Sequence, residues 1–222
     1  MIESSSHISV QGQGALNIVP DTMRLEICVN VYFNSYDEAY IQGKDNIHWV
    51  KNILTENRLR PEQGQTIEFD LSEIDQNGIG DSHFGNGEPV RLGYKLKQKI
   101  RIDIPINQEL ASNIVRTIGK KLPGVQIEIG FTMRDVQHVH LKLLEKAVSD
   151  AGIKAKIMAE AAGCSLGRVA KINYKMEKPN VYRHVRTIHT NEEAISNTPG
   201  ALVINPADFI ISDTVEVTWH LK

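Results

Sequence analysis

From Arg134 to Ala162 the chain reads as one helix of about eight turns, closed by Gly163 and followed at once by a strand. An amphipathic helix of that length needs an equally long apolar support, so it limits the fold more than any other stretch. Leu141, Leu144, Val148, Ala151, Ala155, Met158 and Ala162 advance by steps of three and four, which makes one apolar stripe. Leucine and valine fill its first half and alanine the second. Small residues let a helix lie close to its support, so the second half is predicted to approach more tightly. Lys146, Asp150, Lys154 and Glu160 suit a solvated face, with Asp150 and Lys154 at the i, i+4 spacing of a helical ion pair. Thr132, with Asp135 three residues on, is read as the opening cap, and Gly163 as the left-handed residue that ends the helix.

The remaining elements follow from periodicity. Met23, Leu25, Ile27, Val29, Val31 and Phe33 alternate with Arg24, Glu26, Cys28, Asn30 and Tyr32, as in a half-buried strand. Ser35 and Glu38 have capping-box spacing at the start of a helix that carries Tyr36, Tyr40, Ile47, Val50 and Leu54 to about Asn57. Gly43 lies on the same stripe, where it favours close packing against a neighbour. Strands are predicted around Gln65–Leu71 and Tyr94–Ile104, joined by the Gly- and Asn-rich connection 75–90. A helix after Asn107 buries Leu110, Ile114, Val115 and Ile118 and is stopped by Lys120, Lys121 and Pro123. A strand, "VQIEIGF", precedes the long helix, and Val215, Val217, Trp219 and Leu221 alternate in a closing strand. The order β–α–β–β–α–β–α–β with a final strand indicates the α+β class: antiparallel or mixed sheets packed by one long and two shorter helices. The expectation is one domain over 1–222, with two βαβ-containing lobes at about 1–90 and 91–222 as a subdivision. Segment 175–212 is too long to be an idle connection and is predicted to hold a hairpin near Val181–Thr187.

In the long helix Ala147, Asp150, Ala151, Lys154, Ala155, Met158 and Ala159, and after it Gly163, Leu166, Gly167 and Val169, match an A-x-x-DA-x-x-KA-x-x-(L/M)A-x-x-x-G-x-x-LG-x-(V/I) pattern. With "ISVQGQG" near the start, Pro20–Asp21, Gly93–Tyr94 and the ending "ISDTVEVTWHL", the chain resembles the SIMPL-domain family over nearly its whole length. The resemblance implies an α+β protein without catalytic residues. Its relatives are often exported and are linked to stress tolerance, kinase-associated signalling and large assemblies.

Composition sharpens what to exclude. The 222 residues carry 25 Lys and Arg against 27 Asp and Glu, a net charge of −2, which argues against a nucleic-acid partner. Two cysteines, Cys28 and Cys164, cannot make a four-cysteine zinc site, and a bridge between them is disfavoured. No stretch has the roughly 20 apolar residues of a membrane span. The opening residues lack a signal peptide, so the sequence as written is expected in the cytoplasm; removal of a leader would make it periplasmic or secreted.

The chemistry-bearing motifs are few. "GQGALN" lacks the third glycine and the following helix of a dinucleotide loop. His138 and His140 lie two apart on a helix and point in different directions, and Asp81 with His83 gives only two ligands on a loop. No catalytic residue, metal or cofactor is expected. Lys95, Lys97, Lys99 and Arg101 form a basic stripe, read first as cross-strand pairing with Glu68 and Asp70 and otherwise as a face for an anionic partner. Tyr182, Arg183, His184, Arg186 and His189 concentrate interface-favouring types in the late segment, read equally as a subunit contact or a solvated tip. The expected function is therefore that of a non-enzymatic homo-oligomeric scaffold or protein-interaction module. The alternative is a binder of a small apolar or anionic ligand held between sheet and long helix.

Overall fold

The computed structural model describes residues 6–75, 91–122, 124–175, 181–190 and 204–222. In chain order these form β1 (His7–Ile18), β2 (Thr22–Phe33), α1 (Tyr36–Glu56), β3 (Gly64–Asp75), β4 (Arg91–Pro105), α2 (Gln108–Lys121), β5 (Gln126–Thr132), α3 (Val136–Ala161), β6 (Leu166–Asn173), β7 (Arg183–His189) and β8 (Phe209–Leu221). The class is α+β, with one long and two shorter helices and two sheets whose described strand pairs are all antiparallel. The connection 76–90 with Asp81 and His83, the stop at Pro123 and, within segment 175–212, residues 176–180 and 191–203 lie outside the described residues.

Two of the three helix starts obey the sequence. Ser35 Oγ accepts the Glu38 amide at 3.3 Å and Asn107 Oδ1 accepts the Leu110 amide at 2.9 Å. The third start is corrected: Thr132 ends β5, and α3 is capped by Asp135, whose Oδ1 accepts the His138 amide at 2.9 Å. Gly163 closes the last turn with φ of 74°, as expected of a left-handed residue.

The chain divides into two compact units, each assembled from separated stretches. One comprises Asp21–Thr132 and Arg183–Asn205. Its five strands run in the order β3-β4-β2-β5-β7. Met23, Leu25 and Ile27 of β2, Ile100, Ile102 and Ile104 of β4, and Ile127 and Ile129 of β5 are buried beneath Val50 and Leu54 of α1 and Ile114 and Ile118 of α2. The apolar register of β2 ends early: Val29 is buried, but Val31 is exposed. Gly43 fills the role expected of it, since a Cβ there would stand 2.5 Å from the Phe69 ring. Tyr36 and Tyr40 lie outside the core and stack on each other at the surface instead. The late segment supplies β7, which pairs with β5 rather than closing a hairpin.

The other unit comprises Met1–Pro20, Met133–Tyr182 and Pro206–Lys222. Its sheet has the order β1-β8-β6, with β1 and β8 paired residue for residue from His7–His220 to Ile18–Phe209. The long helix α3 lies on it, but the buried line differs from the expected stripe. Val139, Leu143, Ala147, Ala151, Ala155 and Ala159 face the sheet at a strict spacing of four, while Leu141, Val148, Met158 and Ala162 are exposed. The reason is in β1. A Cβ at Gly12 would overlap the Ala147 carbonyl oxygen and stand 2.5 Å from the Ala151 nitrogen, and one at Gly14 would overlap the Leu143 carbonyl oxygen. Helix and strand backbones touch at these two positions, so the buried line is set by alanine against glycine rather than by the largest apolar side chains.

Lys146, Asp150 and Lys154 are not merely solvated. Asp150 Oδ2 accepts the Gln13 amide at 2.8 Å, Lys146 Nζ donates to Ala15 O at 3.2 Å and Lys154 Nζ to Gln11 O at 3.5 Å. One row of helix side chains thus occupies the outward backbone groups of edge strand β1, which would otherwise invite another strand.

Candidate interaction surface

The sequence predicts a basic stripe on the polar face of the five-stranded sheet, and the stripe is there. Its charges are largely neutralised where they stand. Lys97 Nζ meets Glu68 at 2.6 Å on the exposed surface. Lys99 and Arg101 turn instead to strands the sequence could not order beside them. Lys99 Nζ lies 2.6 Å from Glu26 of β2 and 3.0 Å from Glu128 of β5, and Arg101 reaches Glu26 at 2.9 Å. Lys95 sits over the Tyr32 ring, 5.9 Å from its centroid. At the end of the same face Arg24 grips Asp103 through two bonds of 2.7 Å.

Glu26 is buried, and burial alone would raise its carboxyl. The hydrogen bonds from Lys99 and Arg101 outweigh that and hold it below the usual range. Desolvation pulls Lys99 down, yet Glu26 and Glu128 push it well above the ordinary lysine value. Such a network fixes strand order and leaves little unpaired charge to attract an anion. Cys28 lies among these groups, and its thiol is pushed up by burial first and by the Glu128 carboxylate next. A thiol so placed stays protonated and unreactive. Both cysteines are free.

The late motif gives a different surface. Arg183, His184, Arg186 and His189 all lie on β7, the edge strand beyond β5, and all four are exposed; Tyr182 precedes the strand and is half-buried. Val185 is the extra residue of a bulge between the Ile129–Arg186 and Gly130–His184 pairs and is also exposed. Neither arginine has an ion pair among the described residues. The opposite edge of the same sheet is β3, whose own sequence carries Glu68, Asp70 and Glu73 and no lysine or arginine; Glu68 is the acid that pairs with Lys97 of β4.

One polar cluster escaped sequence reasoning because its members are far apart in the chain. The Tyr174 hydroxyl donates to Asp213 at 2.8 Å and lies 3.3 Å from His140 Nε2, with His140 Nδ1 3.9 Å from Asp213. It ties α3 to β8 and to the residue following β6. His138 is exposed and takes no part. Among the described residues no group of three or more His, Cys, Asp or Glu could hold a metal ion. Among them too, no helix is long and apolar enough to cross a membrane. The space between sheet and long helix, considered for a ligand, is closed at Gly12 and Gly14 by backbone contact.

Residues 8–219 match the sequence model of SIMPL, a family described as protein of unknown function (DUF541). No curated protein matches the chain.

Proposed function

The chain belongs to the SIMPL family, and we propose that it acts by binding, without chemistry of its own, through the edge strand β7. The observation that carries this reading is the contrast between the basic groups of the sheet. Lys97, Lys99 and Arg101 are tied to Glu68, Glu26 and Glu128, whereas Arg183 and Arg186 stand exposed on β7, which pairs on one side only among the described residues. An edge strand offers a row of backbone groups for pairing, and arginine is favoured where surfaces meet. The partner class is protein, and a homo-oligomeric scaffold is its simplest form.

The test is absolute mass by light scattering across a concentration series, on the wild type and on Arg183→Glu/Arg186→Glu. Wild-type mass above the 24.9 kDa of one chain, lost in the variant at unchanged melting temperature, supports the reading. A wild type that stays a single chain removes self-assembly. An assembly indifferent to the two arginines removes β7 as its surface.

A further inference from the structure

The pairing of β1 with β8 sets two of the chain's eight histidines directly against each other. His7 and His220 are opposite one another, with ring centroids 4.5 Å apart and planes tilted by 46°. The Leu221 amide donates to Ser6 O at 2.8 Å, so the 6–221 rung is hydrogen-bonded and 7–220 is the non-hydrogen-bonded rung, where side chains come closest. Both rings lie on the face of the three-stranded sheet turned away from α3, since Val10, Val217 and Trp219 fill the other. We propose that His7 and His220 form a surface site for a square-planar divalent transition ion, copper(II) first, held by one nitrogen of each ring and completed by water. The site lies within one compact unit and is independent of the reading of β7.

The separation of the rings selects the ion. With metal–nitrogen bonds of about 2.0–2.1 Å, two imidazoles on neighbouring corners of a square-planar ion have centroids about 4.5 Å apart. The tetrahedral angle of zinc opens that distance to about 5.2 Å. The rings already stand at the square-planar separation, and their reorientation completes the site. Two protein ligands fall short of a closed structural site, so the ion must be one that binds nitrogen strongly, and copper(II) heads the divalent order.

The surroundings keep both rings available. His7 is exposed and His220 half-buried. His220 is held below the ordinary histidine value by desolvation first, then by His7 and by Arg168 of β6, so its ring is neutral and carries a lone pair at neutral pH. Arg168 also repels a dication, which again favours the most strongly bound ion. Gly167 of β6 brings no side chain: a Cβ there would stand 2.7 Å from His220 O and 3.3 Å from its Cβ. The next rung on the same face is Ser9–Thr218, whose hydroxyls bond each other at 2.7 Å.

The test is calorimetric titration of the tag-free full chain with copper(II) and, separately, zinc(II) at neutral pH, with pulsed electron paramagnetic resonance to count coordinated imidazoles. The expected result is one copper(II) per chain on two imidazoles, weaker zinc(II), and a higher melting temperature with copper(II), which then links β1 to β8. His7→Gln and His220→Gln are each expected to weaken copper(II) by at least the roughly tenfold that loss of an outer-shell partner costs a metal site. Each should also remove the rise in melting temperature, while His138→Gln, on the exposed side of α3, changes neither. If His220→Gln lowers the melting temperature without metal, the exposed His7→Gln and the imidazole count decide together. Copper(II) binding that survives His220→Gln in a folded chain, or a spectrum with a single imidazole, overturns the proposal. Zinc(II) bound as tightly as copper(II) overturns the square-planar assignment.

Discussion

A methyl group added at Gly12 would overlap the Ala147 carbonyl oxygen and stand 2.7 Å from the Ala151 Cβ. Neither helix nor strand backbone can yield there without moving the whole of α3. We expect Gly12→Ala to cost about 1–3 kcal/mol, the usual range for overpacking. For a chain of this length that is a fall in melting temperature on the order of 5 °C. Gly152 is the control: it lies inside α3, and a methyl group there would meet nothing within 4 Å. Gly152→Ala should therefore stabilise by roughly 0.5–1 kcal/mol. A calorimetric scan of both variants decides between contact and simple backbone entropy. The same contact explains why sequence periodicity misphases the helix stripe. Periodicity weighted by side-chain size favours Leu141 and Met158, whereas close backbone approach selects the smallest residues, and the glycines that reveal it are far upstream in the chain. Glu26 offers a second test at this scale. Its carboxyl is held below the ordinary 4.5, so its contribution is complete above that value and is lost as pH falls through the lower folded value. Glu26→Gln should therefore lower stability at pH 7 by about 1–3 kcal/mol, and the difference from wild type in urea unfolding should shrink below about pH 4.

Elements were legible wherever a local rule sufficed. The helix from Tyr36 to Glu56, its Ser35 cap and the strand beginning near Met23 follow from spacing alone. Strand neighbours do not, because adjacency in a sheet is a long-range property. Glu68 and Asp70 were the visible acids for the basic stripe, yet Lys99 and Arg101 pair chiefly with Glu26 and Glu128, brought alongside by β2 and β5. The exposed β7 residues were legible as a cluster, but their place on a sheet edge was not. The α3 side chains over β1 belong to the same class of hidden relation. Removing one of them, in Asp150→Ala, should speed hydrogen exchange at the Gln13 amide, which Asp150 accepts at 2.8 Å. Amides that β1 directs at β8 should keep their protection, and equal acceleration along both edges would mean that α3 holds the strand by packing alone.

At the scale of the whole molecule, the pairing of β1 with β8 has a consequence in time. The first strand of one sheet waits for the last strand of the chain, because β8 stands between β1 and β6 and neither of those pairs with the other. At usual translation speeds of about 5–20 residues per second, some ten seconds or more separate the appearance of these partners at the ribosome. Through that interval the apolar residues Val10 and Ile18 have no strand to shield them, while the stretch from Asp21 to Thr132 already holds four of the five strands of its own sheet. The nascent chain therefore carries one unit that lacks a single strand and another that has not begun its sheet. Chaperones that hold unpaired strands have their longest opportunity at its leading end, and a ribosome stalled before Phe209 releases a protein whose first strand can only find a partner in another molecule.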